Sequence, residues 1–252
     1  MTAPAAIDYD WARSTGGVLT PAQGRAMLRP LLRSVAAYPG ARLRIATGRR
    51  GDAQVDLDDF VLPDSALAKE TIEHATSVLS PCLLHHSWRT FWFGLAIAAH
   101  QQRPVDPEYA LISSLLHDLT LEAPPTPGRC FALTGAEQAE EFLLASGADE
   151  AFSRRVGAEI CGHITVGALE DVTSPGGFVS AGAFTDVAGS GLELMPKSYV
   201  EDVLQRHPRL QFKKVMRAAW KAQTAAVPGG RQEWLSRWAN LRLLALIAPF
   251  DG

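Results

Sequence analysis

From Pro63 almost to the C-terminus the sequence is punctuated as a series of helices, and that punctuation narrows the available folds most. Asp106-Pro107-Glu108 places three start signals in a row: an aspartate able to cap, a proline at the first helical position, and an acid in the first turn. The helix it opens is predicted to run to His117-Asp118, with Ala110, Leu111, Leu115 and Leu116 at apolar positions. Asp64 or Ser65 caps a preceding helix to about Ser80, with Leu67, Ile72, Ala75 and Leu79 as its stripe, and Pro81 ends it. Between these two lies a helix with His86 near its start, continuing through Trp88, Phe91, Trp92, Leu95, Ile97 and Ala98 to about His100. Further helical stretches are expected from about Gly135 to Ala145, from Asp149 or Glu150 to His163, and from Phe178 to Val187. Three more close the chain, from Lys197 to Gln205, Arg209 to Ala226, and Arg231 to about Ile247. Beyond residue 60 there is no alternating strand set, glycine-rich phosphate loop or internal repeat. The expected class is all-α, a helical bundle formed by residues 61–252.

Residues 1–60 read as an N-terminal extension, too poor in periodic apolar residues to hold a core alone. Pro21 to Ala37 is helical in pattern, with Thr20 as its cap and Pro30 kinking or dividing it. Ala41 to Thr47 alternates, as a short strand or extended arm does, before a Gly-Arg-Arg-Gly-Asp turn. The net charge of −3 and the absence of a basic stripe argue against nucleic acid as a partner. No apolar run is long enough for a membrane span, and Met1-Thr2-Ala3-Pro4-Ala5 lacks the basic and apolar regions of a signal peptide. Cys82, Cys130 and Cys161 are widely spaced and odd in number, which suits buried thiols in a reducing compartment. The expected setting is the cytoplasm, with a small-molecule substrate; a homo-oligomer is left open.

Chemistry concentrates in His85-His86 and His117-Asp118, with Asp186 downstream. Imidazole and carboxylate together suit a divalent metal, zinc first, with iron or manganese also fitting. Candidate ligands are His86, His117, Asp118 and Asp186. Neighbouring helical residues point about 100° apart, so His117 and Asp118 meet one ion only if it sits at the helix's C-terminal end. Taken singly each residue has a bland reading, since a histidine among apolar neighbours is usually structural.

The ordered set is more specific. His86-Ser87-x-Arg89, Leu115-Leu116-His117-Asp118 and Thr185-Asp186 resemble the H…HD…D signature of the HD-domain superfamily of metal-dependent hydrolases. The branch it is most similar to is that of cyanamide hydratase. Leu79-Ser80-Pro81, Gly94-Leu95-Ala96-Ile97, Leu119-Thr120-Leu121-Glu122, Gly162-His163, Phe184 through Gly189 and Val203 through Arg209 continue the likeness, over about residues 61–225. The chain departs from the pattern at Leu119-Thr120, where an apolar residue and glycine are usual, and in the proline-rich loop Pro124 to Gly128.

The resemblance implies an HD-type helical fold in which His86, His117, Asp118 and Asp186 bind the metal, His86 rather than His85 being the ligand. It implies an enzyme that adds water to a nitrile or cyanamide-like group, giving an amide or urea. Asp118, Glu122 and His163 are the candidates for proton transfer or substrate contact. Glu122 is equally readable as a solvated loop acid, and His163 as a histidine at a helix C-terminus. Arg89, three residues after His86, either holds Asp118 or an anionic group or forms a structural ion pair. The alternative chemistry is phosphate-ester hydrolysis, for which Arg89 is the obvious cation and Lys197 and Arg206 lesser ones. A non-catalytic, metal-stabilised ligand-binding protein is the third reading. A two-iron oxygenase is disfavoured, because only His163 lies between the His-Asp pair and Asp186 as a further ligand.

Overall fold

Helix starts in this chain are set by side chains that accept from otherwise unpaired backbone N–H groups. In a computed structural model that describes residues 6–250, α1 (Tyr9–Thr15) is capped by Asp8. Thr20 and Gln23 form a capping box on α2 (Pro21–Ala26), which leads into α3 (Leu28–Ala46). Ser65 caps α4 (Ala66–Val78), Ser80 caps α5 (Pro81–His100), and Asp106 caps α6 (Pro107–Leu116). After the proline-rich loop come α7 (Phe131–Ala145), α8 (Glu150–Gly162, capped by Asp149) and α9 (Gly177–Ala188). The chain closes with α10 (Lys197–Arg206), α11 (Phe212–Ala226), α12 (Arg231–Trp238) and α13 (Leu241–Ile247). No strand occurs among the described residues, where β pairing is confined to one bridge between Val18 and Gly230. The class is all-α. No described helix is long and apolar enough to cross a membrane. Met1 to Ala5, where a signal peptide was sought, lies outside the described residues.

Several boundaries differ from expectation. Ala41 to Thr47 is not extended: residues through Ala46 continue α3. Its alternation rests on Leu43 and Ile45, too short a pattern to outweigh the helix preference of Ala41, Arg42, Leu43 and Arg44, and the helix continues past Pro39 and Gly40 within it. The break near Pro30 falls earlier, at Met27, leaving Pro30 in the first turn of α3. Pro81 opens α5 more than it ends α4, because its absent N–H is harmless at a first helical position. The last stretch divides at Asn240, which adopts a left-handed backbone (φ 47°) between α12 and α13.

The centre of the molecule is α5, buried without interruption from Arg89 to Ala98. A helix apolar on all sides must be covered on all sides, and α4, α6, α9, α10 and α11 cover it. α9 packs on it most extensively, and glycines allow the approach. A Cβ on Gly182 would lie 1.9 Å from the Thr90 carbonyl oxygen, and one on Gly94 would lie 2.7 Å from the Phe178 ring. The N-terminal helices lie against this core. Tyr9 and Ala12 are buried where α1 meets α7 and α8, and the Tyr9 hydroxyl donates to Glu140 (2.8 Å).

Because the Gly182 contact is with backbone, it cannot be relieved by a rotamer change. Gly182→Ala should destabilise the fold by about 3 kcal/mol or more, at the upper end of overpacking costs. Chemical denaturation measures this, and an unchanged midpoint would mean that α5 and α9 do not approach this closely.

Candidate metal centre

Two helices end on the residues that matter. His117 is the C-terminal cap of α6, with Asp118 in the turn just beyond it, and His163 is the C-terminal cap of α8. Leaving the helix at this point lets two adjacent side chains converge. His86 approaches from the second turn of α5, and Asp186 from the last turn of α9. All five are buried, the most accessible being His163 at 4%.

His86, His117 and Asp118 form a group whose ligand atoms lie within 4.8 Å of one another and which can hold a metal ion. His86 Nε2 is 3.3 Å from His117 Nε2, and Asp118 Oδ2 is 3.2 Å from His117 Nε2 and 3.6 Å from His86 Nε2. His163 Nε2 comes to 3.9 Å from the other Asp118 oxygen, Oδ1. Each histidine has an acceptor behind it: His117 Nδ1 donates to Ser114 O (2.7 Å), His163 Nδ1 to Ile160 O (2.6 Å), and His86 Nδ1 to Asp186 Oδ2 (2.7 Å). With the ring proton on Nδ1, each Nε2 is left as a lone pair aimed inward, the tautomer a metal requires. Asp118 Oδ2, buried, has no hydrogen-bond partner. Two nitrogen lone pairs and an unpaired carboxylate oxygen converging in a dry site repel one another unless a cation or proton sits among them. The donor set therefore fits a divalent ion.

The titration behaviour agrees. Burial disfavours the His117 imidazolium, yet Asp118 outweighs burial and raises its pKa. Burial opposes the charge on Asp118, but the neighbouring histidines, His117 first, lower its pKa to about 2. The site thus attracts positive charge. His163 differs: burial, reinforced by His117, lowers its pKa to about 3, so it is neutral near pH 7.

Asp186 stands behind His86, on the Nδ1 side of the ring. Burial would raise its pKa, but Arg209 and Arg89 hold it far below the carboxylate range. Arg89 donates to both of its oxygens, Nε to Oδ1 (2.9 Å) and Nη2 to Oδ2 (2.8 Å), and Arg209 donates to Oδ1. Of the two roles considered for Arg89, the geometry gives the ion pair, with Asp186 rather than Asp118. Glu122 is exposed and borders a surface groove with Pro124, Pro125 and Lys214 rather than the histidine cluster. His85 faces His207 (ring centroids 5.9 Å apart), away from the cluster. Lys197 is exposed and paired with Glu201, and Arg206 with Asp58. Tyr199 is buried and donates to Trp92 O (2.7 Å).

A cavity of about 30 Å³ opens on His86, His117, Asp118 and His163. Its other walls are apolar, with Phe131 and Ile164 on one side and Met216, Trp220 and Leu241 from α11 and α13 on another. Among those lining residues only Phe184 is more than slightly exposed. Sequence reasoning missed this wall, and also Phe212, which stacks on His86 (4.4 Å between centroids). These are ordinary apolar residues on amphipathic helices, with no local signal to distinguish them. Arg209 closes the stretch Val203 to Arg209, but its partner could not be read from the sequence there. No protein-family model matches the chain, and no curated protein matches it.

Acid should weaken the metal-free protein. His163 takes its proton near pH 6.5 when unfolded and only near pH 3 when folded, so the unfolded chain binds more protons between those values. Stability then falls on acidification through that window, by up to about 1.4 kcal/mol per pH unit. His117 has the opposite sign: its stabilisation is present below its ordinary pKa and lost as pH rises through the raised one. Urea midpoints from pH 7 to pH 4.5 should therefore fall more steeply for wild type than for His163→Gln. Equal slopes would contradict this assignment.

Proposed function

We propose that the protein is a metal-dependent enzyme that adds water across the carbon–nitrogen triple bond of a small uncharged substrate, a nitrile or cyanamide. The product is the corresponding amide or urea: a C–O bond forms as one C–N π bond breaks, giving the imidic acid or isourea, and its tautomerisation exchanges the second C–N π bond for C=O, leaving both protons of water on nitrogen. The observation that carries this reading is the cavity. It opens on the His86, His117 and Asp118 donor set, is small and otherwise apolar, and has no lysine or arginine among its lining residues.

Phosphate-ester hydrolysis asks for cations at the phosphoryl oxygens. Arg89 and Arg209, behind His86, are both committed to Asp186, and Arg231, whose charge reaches His163, donates to Cys161 O and Thr165 Oγ1. Space for about 30 Å³ accommodates a water and a few heavy atoms, not a nucleotide. The HD-type resemblance of the His86, His117-Asp118 and Asp186 motifs supports the same reading.

A divalent cation at the site supplies Lewis acidity, polarising a bound atom and making water deprotonate near neutral pH. Zinc suits the nitrogen and oxygen donors, and iron or manganese also fit. His86 and His117 present their Nε2 lone pairs and Asp118 its Oδ2. His163, neutral with its proton on Nδ1, turns its own Nε2 lone pair into the same cavity. Phe131, Ile164 and Trp220 keep other water out, which strengthens every polar contact inside. Glu122 lies outside this cavity and has no part in the step.

Purified protein should hold about one zinc per chain by elemental analysis, lost in His117→Ala. It should hydrate cyanamide or simple nitriles, and Asp118→Asn should lower kcat/KM more than about 100-fold, beyond the range typical of an outer partner. Turnover of nucleoside phosphates with none of nitriles would reverse the assignment, and full metal retention by both variants would remove the site. Zinc affinity should also weaken as pH falls, because His117 and His86 must give up any proton on Nε2 before they bind. Calorimetry in buffers of different ionisation enthalpy reads the protons released.

A further inference from the structure

Given the metal-binding reading above, on which this inference rests, we infer that Asp186 is not a ligand but a positioning residue for His86, and that His163 supplies the fourth donor. A carboxylate offers about four lone-pair positions. Those of Asp186 are taken by four donors: Arg89 Nε and Arg209 at Oδ1, and Arg89 Nη2 and His86 Nδ1 at Oδ2. Turning an oxygen to an ion would strand a buried guanidinium, since Arg89 is wholly buried and Arg209 nearly so. The direction is also wrong. Asp186 meets His86 at Nδ1, across the ring from the Nε2 that joins His117 and Asp118, and it does not line the cavity.

His163 satisfies each condition that Asp186 does not. It lines the cavity, its Nδ1 is tied to a backbone carbonyl as His117's is, and its Nε2 is 3.9 Å from Asp118 Oδ1. His117 and His163 rings meet edge to face with centroids 5.1 Å apart. The ligand set becomes three imidazoles and one carboxylate. Asp186 then fixes the tautomer and ring orientation of His86 and raises the basicity of its Nε2, the ordinary work of a carboxylate behind a ligating histidine.

X-ray absorption fine structure of zinc-loaded wild-type protein counts coordinated imidazoles without any variant. Three support the inference. Two imidazoles with additional carboxylate oxygens overturn it while leaving the metal site standing, and a protein that takes up no zinc overturns both it and the function proposed above. Cobalt(II)-loaded variants give a second readout. Asp186→Asn should keep the wild-type visible absorption spectrum with affinity lowered about 10- to 100-fold, whereas His163→Gln should change the spectrum. The reverse pattern, or a changed spectrum in Asp186→Asn alone, overturns the assignment.

Discussion

The buried carboxylate of Asp186 is the charge on which the rest of the molecule depends. Arg89 from α5 and Arg209 from the segment before α11 converge on it, and Arg89 also donates to the His207 and Pro208 carbonyls. One side chain of α9 thus ties the central helix to the C-terminal third of the chain. Breaking such a pair by deleting one member leaves an unpaired buried charge, at a cost of about 3–5 kcal/mol. The glycine contact at Gly182 sets the spacing of α5 and α9, and Asp186, one helical turn later, fixes their register.

The same ion pairs prepare the site. Asp186 orients His86, while helix ends orient the other two histidines. In α6 and α8 a histidine at the C-terminal cap bonds the carbonyl three residues back, Ser114 and Ile160 respectively. The last carbonyls of a helix lack intrahelical partners, so one contact satisfies a helix end and fixes a ring. Formally, Arg89 and Arg209 balance Asp186 and Asp118, with the histidines neutral. A divalent ion would add two positive charges to a dry pocket, favouring an electron-rich group in its remaining position.

Helix starts were legible because they reside in single residues: Ser65, Asp106 and Pro107 act through their own side chains or rings. The strand expectation for Ala41 to Thr47 failed because alternation over a few residues is a weak signal: on α3 Leu43 and Ile45 point about 200° apart, and Leu43 is exposed. At the site, His86, His117 and Asp118 were legible through their order and spacing. The role of Glu122 was not, because four residues past Asp118 is near in sequence only; the turn carries it out to solvent. The arginine pair on Asp186 was illegible for the same reason. Ninety-seven residues separate Arg89 from Asp186, and only the packing of α5 on α9 brings them together.

Size then becomes the main determinant of what the site accepts. Met216, Trp220 and Leu241 come from two C-terminal helices that close over the cavity, and Phe184 is the lining residue nearest to solvent. A ligand much larger than a few atoms has to displace packed side chains, and filled interiors resist expansion as they resist voids. Away from the histidine cluster a charged group meets apolar walls with no counter-ion, a desolvation cost without compensation. On the function proposed above, both constraints favour the same kind of molecule, short, with one polar end for the histidine cluster and nothing bulky or charged behind it.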